Sequence, residues 1–181
     1  RMRALEAALR RALRSSDLVL TTGGVSVGDR DLVAPAAAAC GVDIAFHGVA
    51  QRPGKPLLFG TRGSSVLFGL PGNPTSAAVC YAAHVRPAIR QMLGLRRPDR
   101  SAGTARLSRS VAAGGAMTRF HLGSLEDRRG TRSVRPIRRQ ASHLVTPLPE
   151  ADCLIEVTSG RTGMIRPGVE VVVRRIPGRL P

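Results

Sequence analysis

The sequence lacks a long hydrophobic run. Hydrophobic residues make up 43% of the 181 positions, but no stretch reaches about 18 apolar residues, the length that crosses a bilayer. The first residues, Arg1 to Glu6, are amphipathic and do not form a signal peptide. We therefore expect no membrane span. Because the chain does not begin with Met, we also expect it to be a segment of a longer protein.

Cysteine is scarce. Cys40, Cys80 and Cys153 lie far apart, so they do not form the closely spaced pairs that are typical of zinc sites, and an odd number cannot pair completely in disulfides. We therefore expect reduced cysteines and a cytoplasmic protein.

Aromatic residues make up 3% of the chain, and tryptophan is absent. The net charge of +16 would favour nucleic-acid binding, but single-strand binders combine positive charge with aromatic stacking platforms. The basic residues are also scattered along the chain. The composition therefore argues against a dedicated nucleic-acid role, and a basic binding module remains an alternative.

Lysine is nearly absent, since 27 of the 28 basic residues are arginine. The one lysine lies in the sequence Pro53-Gly54-Lys55-Pro56, where proline and glycine indicate a defined turn. A compact ammonium in a stiff turn is suited to a phosphate or another oxyanion. The alternative is that Lys55 marks an ordinary solvent-exposed turn.

A second Pro-Gly corner follows one predicted hairpin later, in Pro71-Gly72-Asn73-Pro74. Asn73 is a preferred N-cap and Pro74 suits the first helical position, so a helix is predicted to begin here. The unpaired N–H groups at a helix start favour an anion. The two Pro-Gly corners are therefore two candidate anion sites.

A glycine-rich segment, Gly23-Gly24-Val25-Ser26-Val27-Gly28, follows a short apolar strand at residues 17–22. Such a loop between a buried strand and a helix is where open α/β sheets bind ligands, although this pattern matches no dinucleotide or Walker fingerprint. Asp31 could cap the helix over residues 32–39, or it could have a catalytic or metal-binding role. Asp29 is equally open.

Hydrophobic periodicity predicts an α/β region followed by an all-β region. We predict parallel pairing between the strands that flank the helix at 32–39, and structural roles for His47 and His84. From Arg96 a linker leads into short strands that are typical of a barrel or sandwich. The predicted helices are 2–14, 32–39 and 74–93, the last kinked at Pro87 and closed by Gly94; the predicted strands are 17–22, 42–50, 56–60, 65–69, 104–111, 117–125, 132–139, 153–158 and 169–176.

Three segments, the glycine-rich loop at 21–31 and the two Pro-Gly corners at 52–56 and 70–77, resemble in order and spacing the motifs of the molybdopterin molybdenumtransferases, the MoeA-like proteins and the gephyrin E domain. The tail is similar to the C-terminal β domain of that family, except that Ala141 and His143 replace usual glycines. The resemblance covers nearly the whole chain, and its motifs are 21–31, 52–56 and 70–77, with tail segments 140–144, 151–155 and 166–171.

The resemblance implies a partial MogA/MoaB-like parallel-sheet domain over residues 1–95 and a small β-barrel-like domain over 96–181. It also implies insertion of molybdate into adenylated molybdopterin, with release of AMP and help from Mg²⁺. Asp31 and Lys55 would be catalytic, and Asp31 with Asp29 would bind the metal. The implied substrate-binding residues are Gly23, Gly24, Ser26, Arg52, Pro71, Gly72, Asn73, Pro74 and Ser76.

The family's chains are about twice as long as this one, so we expect these residues alone to be inactive in molybdenum insertion. A homodimer is implied by the family. The alternatives are a non-catalytic pterin-binding or scaffold fragment and a MogA-like adenylyltransferase. The β tail from 104 to 176 argues against the second, because those adenylyltransferases lack it.

Overall fold

The computed structural model describes residues 1–26, 28, 31–96, 102–128, 130–138, 140, 145 and 147–176, with the backbone alone at 102 and 128. Within these residues the α-helices are α1 (Met2–Ser15), α2 (Val33–Ala39), α3 (Pro74–Cys80) and α4 (Arg86–Met92). The strands are β1 (Leu18–Thr22), β2 (Asp43–His47), β3 (Gln51–Arg52), β4 (Leu58–Arg62), β5 (Ser65–Leu70), β6 (Ala102–Leu107), β7 (Val111–Ala112), β8 (Thr118–Arg128), β9 (Thr131–Pro136), β10 (Cys153–Val157), β11 (Met164–Ile165) and β12 (Glu170–Arg175).

The first sheet is mixed, with the order β1-β5-β4-β2. The predicted hairpin is confirmed, because β4 and β5 pair in antiparallel fashion. The predicted parallel pairing of β1 with β2 is wrong: β1 pairs in parallel with β5, and β2 pairs in antiparallel fashion with β4. The hairpin strands occupy the positions between β1 and β2, so a wholly parallel sheet is not observed among the described strands.

Alternating side chains of β5 separate two cores on opposite faces of this sheet. Leu67 packs with Leu9 and Leu13 of α1 and with Ala36 of α2. Phe68, the next residue, packs in a second cluster with Cys80 and Val85. Because successive strand side chains point to opposite faces, the sheet lies between α1 and α2 on one side and the 74–92 helical run on the other.

The long helix predicted over 74–93 is present as a run with a change of geometry. α3 is followed by a π-helical segment, Tyr81–Val85, and then by α4. Proline has no N–H to donate, and the wider turn directly precedes Pro87, as expected where a π-bulge accommodates a break in the hydrogen-bond ladder. The end at Gly94 is confirmed by its φ of 72° and its N–H bond to the Gln91 carbonyl.

The C-terminal strands form a closed ring in the order β10-β12-β6-β9-β8, with β8 returning to pair with β10. This arrangement confirms the barrel-like β region. Its interior contains Leu107, Val134 and Ile155, each 2% exposed or less. β3 belongs to the α/β part of the chain, yet it pairs in parallel with the start of β8. The domain boundary between residues 95 and 96 stays a prediction.

The cysteines are free and buried. Asp31 is not the N-cap of α2, since Leu32 occupies that position. Within the described residues, no helix combines the length and the apolar character needed to cross a membrane.

Candidate functional site

The first cleft lies at the carboxyl ends of β1 and β5 and is here called the glycine cleft. It has a volume of about 300 Å³ and is lined mainly by the two predicted loops. The Gly23 N–H donates to the Leu70 carbonyl at 2.9 Å, and the Val33 N–H donates to the Gly24 carbonyl at 3.0 Å. The loop is thus tied to β5 on one side and to the start of α2 on the other. Its lining residues are Gly23, Gly24, Val25, Ser26, Asp31, Pro56, Pro71, Gly72 and Asn73.

The two loops approach each other through glycines. A Cβ added at Gly72 would lie 3.4 Å from the Gly23 Cα, so it would already be in contact with the opposite loop. Gly23 and Gly24 have φ values of 78° and 68°, which L side chains rarely adopt. The sequence Gly23-Gly24 opposite Pro71-Gly72 therefore permits a narrow cleft whose walls are largely backbone.

Asp31 lies at the end of the glycine-rich loop and is half-buried. Its Oδ2 accepts a hydrogen bond from the Gly28 N–H at 3.0 Å, while its own N–H donates to the Gly28 carbonyl at 2.8 Å. This reciprocal pair closes the turn and presents the carboxylate to the cleft. Asp29, the other predicted metal ligand, lies outside the described residues.

His47 fixes the loop from the side of β2. Its Nε2 donates to the carbonyl of Val25 at 2.6 Å, and Val25 is 2% exposed. The predicted structural role of His47 agrees with this contact. Within the described residues, no group of three or more His, Cys, Asp and Glu side chains could hold a metal ion.

The second cleft adjoins the first and is here called the lysine cleft. Its lining includes Arg52, Lys55, Ser76 and Met117, and it shares Pro56 and Asn73 with the glycine cleft. The Lys55 side chain is exposed and forms no ion pair or side-chain hydrogen bond with another described residue. Its ammonium is therefore free to meet an anion.

The turn that carries Lys55 is held from below by Gln51, which is 4% exposed. The Gln51 Nε2 donates to the Pro53 carbonyl at 3.1 Å. The Gln51 Oε1 is 2.6 Å from the His84 Nε2, and since an amide oxygen only accepts, the imidazole must donate. Burial lowers the pKa of His84, and the nearby Arg174 lowers it further, against a raising effect of Glu156.

Cys80 completes this support. Its thiol contacts the Gly54 carbonyl at 3.5 Å and the Gln51 Nε2 at 3.5 Å. Burial raises the pKa of Cys80 to about 12, although the Gln51 hydrogen bond acts in the opposite direction. The group is therefore a neutral packing and hydrogen-bonding partner near neutral pH, not a nucleophile.

The structure brings most predicted site residues into these two clefts, but it separates the two predicted catalytic residues. Asp31 lines the glycine cleft, and Lys55 lines the lysine cleft. Pro74 is exposed at the first position of α3 and lines neither cleft. Gln51, Cys80 and His84 were missed as supports of the lysine turn, because nothing in their local sequence indicates a partner about 30 residues away.

Comparisons with known proteins agree with this arrangement. Residues 1–91 match the family described as "Probable molybdopterin binding domain", and residues 104–175 match "MoeA C-terminal region (domain IV)". A molybdopterin molybdenumtransferase of Bacillus subtilis is 32% identical over 157 residues, covering 87% of this chain and 36% of the relative. One from Haemophilus influenzae is 32% identical over 167 residues, covering 86% of this chain and 41% of the relative.

The fold has a solved counterpart in the crystal structure of a molybdopterin biosynthesis MoeA protein from Pyrococcus horikosii. The two superpose with a TM-score of 0.78 at 28% sequence identity, over 97% of this chain and 41% of that one. The chain thus spans about two fifths of the length of these proteins. The family matches cover the α/β part and the β barrel in turn, and both candidate clefts lie in the matched regions. On these grounds the chain belongs to the MoeA-like family of molybdopterin-binding proteins.

Proposed function

We propose that the protein carrying this chain inserts molybdate into adenylated molybdopterin and releases AMP. The observation that supports this proposal is the junction of the glycine cleft and the lysine cleft at Pro56 and Asn73. A substrate lying across this junction would meet backbone N–H groups and a carboxylate on one side and an ammonium on the other. Since the chain matches 36% and 41% of two relatives, we propose that these residues need the rest of the protein for activity.

In this proposal Gly23, Gly24 and Ser26 line the side of the cleft that takes the pterin phosphate. Lys55, with Arg52 beside it, holds the molybdate or phosphate oxyanion by charge, since an ammonium is a compact donor with three N–H groups. The stiff turn keeps that charge in place without a further ordering cost at binding. Pro71, Gly72 and Asn73 are proposed to form the opposite wall of the glycine cleft, and Ser76 is proposed to bind substrate from the lysine cleft. Pro74, which lines neither cleft, is proposed only to start α3 behind this wall.

Mg²⁺ would be held by Asp31, with Asp29 as the second proposed ligand. One half-buried carboxylate in a cleft for phosphates fits this ion, because Mg²⁺ commonly takes one or two carboxylates and completes its shell with water and substrate phosphates. When bound, the ion would neutralise phosphate charge. Asp31 itself orients through its bond to the Gly28 N–H.

We further propose that the protein is a cytoplasmic homodimer, with an α/β domain over residues 1–95 and a barrel domain over 96–181. Free, buried cysteines support the reducing compartment. A non-catalytic pterin-binding or scaffold role is the second candidate, because Asp31 and Lys55 line separate clefts.

The test uses Lys55→Ala in the intact protein, with adenylated molybdopterin, molybdate and Mg²⁺. We expect the molybdate concentration for half-maximal insertion to rise about tenfold or more, because a charge-assisted contact contributes roughly 1.5–3 kcal/mol. Arg161→Ala, at an exposed position outside both clefts, is the matched control. If the variant needs the same molybdate concentration as the parent, Lys55 does not bind the oxyanion and belongs to an ordinary solvent-exposed turn. If the intact protein binds molybdopterin tightly but releases no AMP, the non-catalytic candidate is favoured.

A further inference from the structure

The turn at residues 53–56, here called the lysine turn, begins from the barrel sheet and not from the α/β sheet. β3 directly precedes the turn and is the last strand of the six-stranded sheet. Gln51 of β3 is in register with Thr118 of β8, and the Thr118 N–H donates to the Ala50 carbonyl at 2.9 Å. The barrel therefore determines where the turn starts.

The backbone of Lys55 is fixed at the far end of the turn. Its carbonyl accepts hydrogen bonds from the N–H groups of Val49 and Leu57, each at 2.9 Å. Between the two ends lies Pro53, whose carbonyl accepts from the Gln51 amide at 3.1 Å. The direction in which the turn presents the Lys55 ammonium thus depends on this amide.

The orientation of the Gln51 amide follows from its partners. A carbonyl oxygen only accepts, so the amide nitrogen must face Pro53 and the amide oxygen must face His84. The His84 Nε2 lies 2.6 Å from that oxygen and donates to it. Gln51 is 4% exposed, and an unpaired buried oxygen is costly. His84 therefore holds the amide in the orientation that supports the turn.

The barrel in turn surrounds His84. A pocket of about 250 Å³ is lined by His84 and by Thr118, Glu156 and Arg174 of the barrel. The Arg174 Nε lies 2.7 Å from the Glu156 Oε2. Burial lowers the pKa of His84, Arg174 lowers it further and Glu156 raises it. The ring is therefore neutral near neutral pH, with its one proton on the Nε2 that faces Gln51.

The π-helical segment that carries His84 is held to the barrel on both sides of this residue. Before it, Ala82 packs in a cluster with Phe120 and Leu154. After it, the Arg86 guanidinium donates to the Arg175 carbonyl of β12 at 2.9 Å. The position of the imidazole is thus determined by how the barrel packs on the α/β part.

We propose that His84 is a positioning residue for the oxyanion site at Lys55, and that it transmits the packing of the barrel to the lysine turn through Gln51. His84 is not among the described residues that line the lysine cleft, so it acts through the amide and not on the oxyanion. The role rests on the proposed function, because Lys55 is the oxyanion residue of that proposal. A preformed turn binds an anion without a further ordering cost.

The test measures binding of inorganic molybdate to the intact protein by calorimetry, with Lys55→Ala to identify binding that depends on the lysine. We expect His84→Leu to raise the dissociation constant about fivefold or more, because the amide loses its donor. His84→Gln offers an amide N–H in place of the imidazole N–H and should stay within about twofold of the parent. Gln91→Leu, at an exposed position of α4, is the control and should bind as the parent does.

The AMP-release assay separates positioning from a loss of folded protein. His84→Leu should raise the molybdate concentration for half-maximal release and leave kcat unchanged, whereas partial unfolding lowers kcat alone. Because His84 acts through Gln51, adding His84→Leu to Gln51→Leu should change the dissociation constant little. A full additional loss in the double variant would contradict the series Gln51 and His84 form.

The contribution of the barrel is tested by Glu156→Gln, which removes the carboxylate beside His84. We expect the dissociation constant for molybdate to rise about threefold, since breaking a partly buried ion pair disturbs its surroundings more than breaking an exposed one. Glu126→Gln is the matched control, because the Glu126–Arg135 pair is exposed on the barrel. Equal constants for the two variants would overturn the transmission from the barrel. If His84→Leu fails to fold, this pair of variants decides.

The two readouts distinguish the possible failures. Lys55-dependent molybdate binding that His84→Leu weakens, in a protein that releases no AMP, would keep the role of His84 and refute the proposed function. AMP release with the same molybdate dependence in the parent and in His84→Leu would keep the function and overturn this role. Absence of Lys55-dependent binding would also overturn it.

Discussion

At the scale of single residues, Gln51 connects its own turn to α3 and to the π-helical segment, about 30 residues further along the chain. Its amide reaches the Pro53 carbonyl, the Cys80 thiol and the His84 ring. A buried polar side chain is costly unless its hydrogen bonds are made, and here both ends of the amide have partners. Gln51 is thus suited to fix the position of the turn at residues 53–56, which carries Lys55, relative to α3.

Replacing Gln51 by leucine, of similar size, tests this role. Gln51→Leu leaves the His84 N–H and the Pro53 carbonyl without their partner, so we expect a loss of about 1–3 kcal/mol in the free energy of unfolding. Denaturant titration measures it. Gln91→Leu, the same change at an exposed position of α4, is the control and should stay within about 0.5 kcal/mol of the parent.

The double variant Gln51→Leu with His84→Leu makes the test sharper. Removing both partners costs less than leaving one buried group unpaired, so the double variant should recover part of the loss. Equal stability of the Gln51 and Gln91 variants would show that the amide does not support the turn.

The site residues that were predicted from the sequence and those that were missed differ in how far along the chain their partners lie. Gly23, Gly24, Pro71 and Lys55 are marked by their immediate neighbours, because turns and loops have local composition. Gln51 has no such mark. Its role depends on Cys80 and His84, about 30 positions further along the chain, and only the fold brings these residues together.

At the scale of elements, the turn between β3 and β4 is fixed by contacts beneath it. Gly54 has a φ of 95°, and a Cβ there would lie 2.5 Å from the Cys80 Sγ and 2.6 Å from the Gln51 Nε2. The turn between β4 and β5 has the opposite surroundings. Gly63 has a φ of 57°, and a Cβ there would meet nothing within 4 Å.

This contrast predicts different effects for the same substitution. Both Gly54→Ala and Gly63→Ala place alanine at positive φ, which costs about 1 kcal/mol, but Gly54→Ala adds a steric clash. We expect Gly54→Ala to reduce the free energy of unfolding by at least 1 kcal/mol more than Gly63→Ala, in the range of other overpacked core changes. Thermal unfolding of the two variants measures the difference, and similar midpoints would contradict a rigid support under the lysine turn.

Helices and strands that are indicated by their own local sequence were predicted well, but the order of the strands in the first sheet was not. α1 and the β4–β5 hairpin follow from periodicity and a Gly-Ser turn. The neighbours of β1 and β2 depend on where that hairpin inserts, so their expected direct pairing was wrong. The π-helical segment before Pro87 also escaped prediction, because proline indicates a break without specifying its geometry.

At the scale of the whole molecule, two half-buried histidines lie where the α/β part meets the barrel. His84 follows α3 and lines a pocket with Glu156 and Arg174 of the barrel. His121 lies on β8 and lines a cleft together with Arg52 and Val79 of the α/β part. The barrel supplies an ion pair near His84, in which the Arg174 Nε is 2.7 Å from the Glu156 Oε2. The pKa of His84 therefore depends on barrel residues as well as on burial, whereas that of His121 is lowered by burial and by Arg119 and raised by the bond to Ala112.

Stability should consequently fall in mild acid. Burial lowers the pKa of His84 and of His121 in the folded state, so the unfolded chain takes up their protons first as the pH decreases. Their contribution is fully present above the unfolded value of about 6.5 and is lost as the pH falls through the folded values. We expect the unfolding midpoint to decrease from pH 7.5 to pH 5.5.

A variant carrying His84→Gln and His121→Gln should lose less stability than the parent over the same interval, because glutamine does not take up a proton. His47→Gln is the control, since the same change there leaves both interface rings in place. Each protein is compared with itself across pH, so a uniform cost of substitution cancels. An unchanged pH dependence in the double variant would mean that other groups govern it, and that the contact between the α/β part and the barrel is indifferent to the charge on these rings.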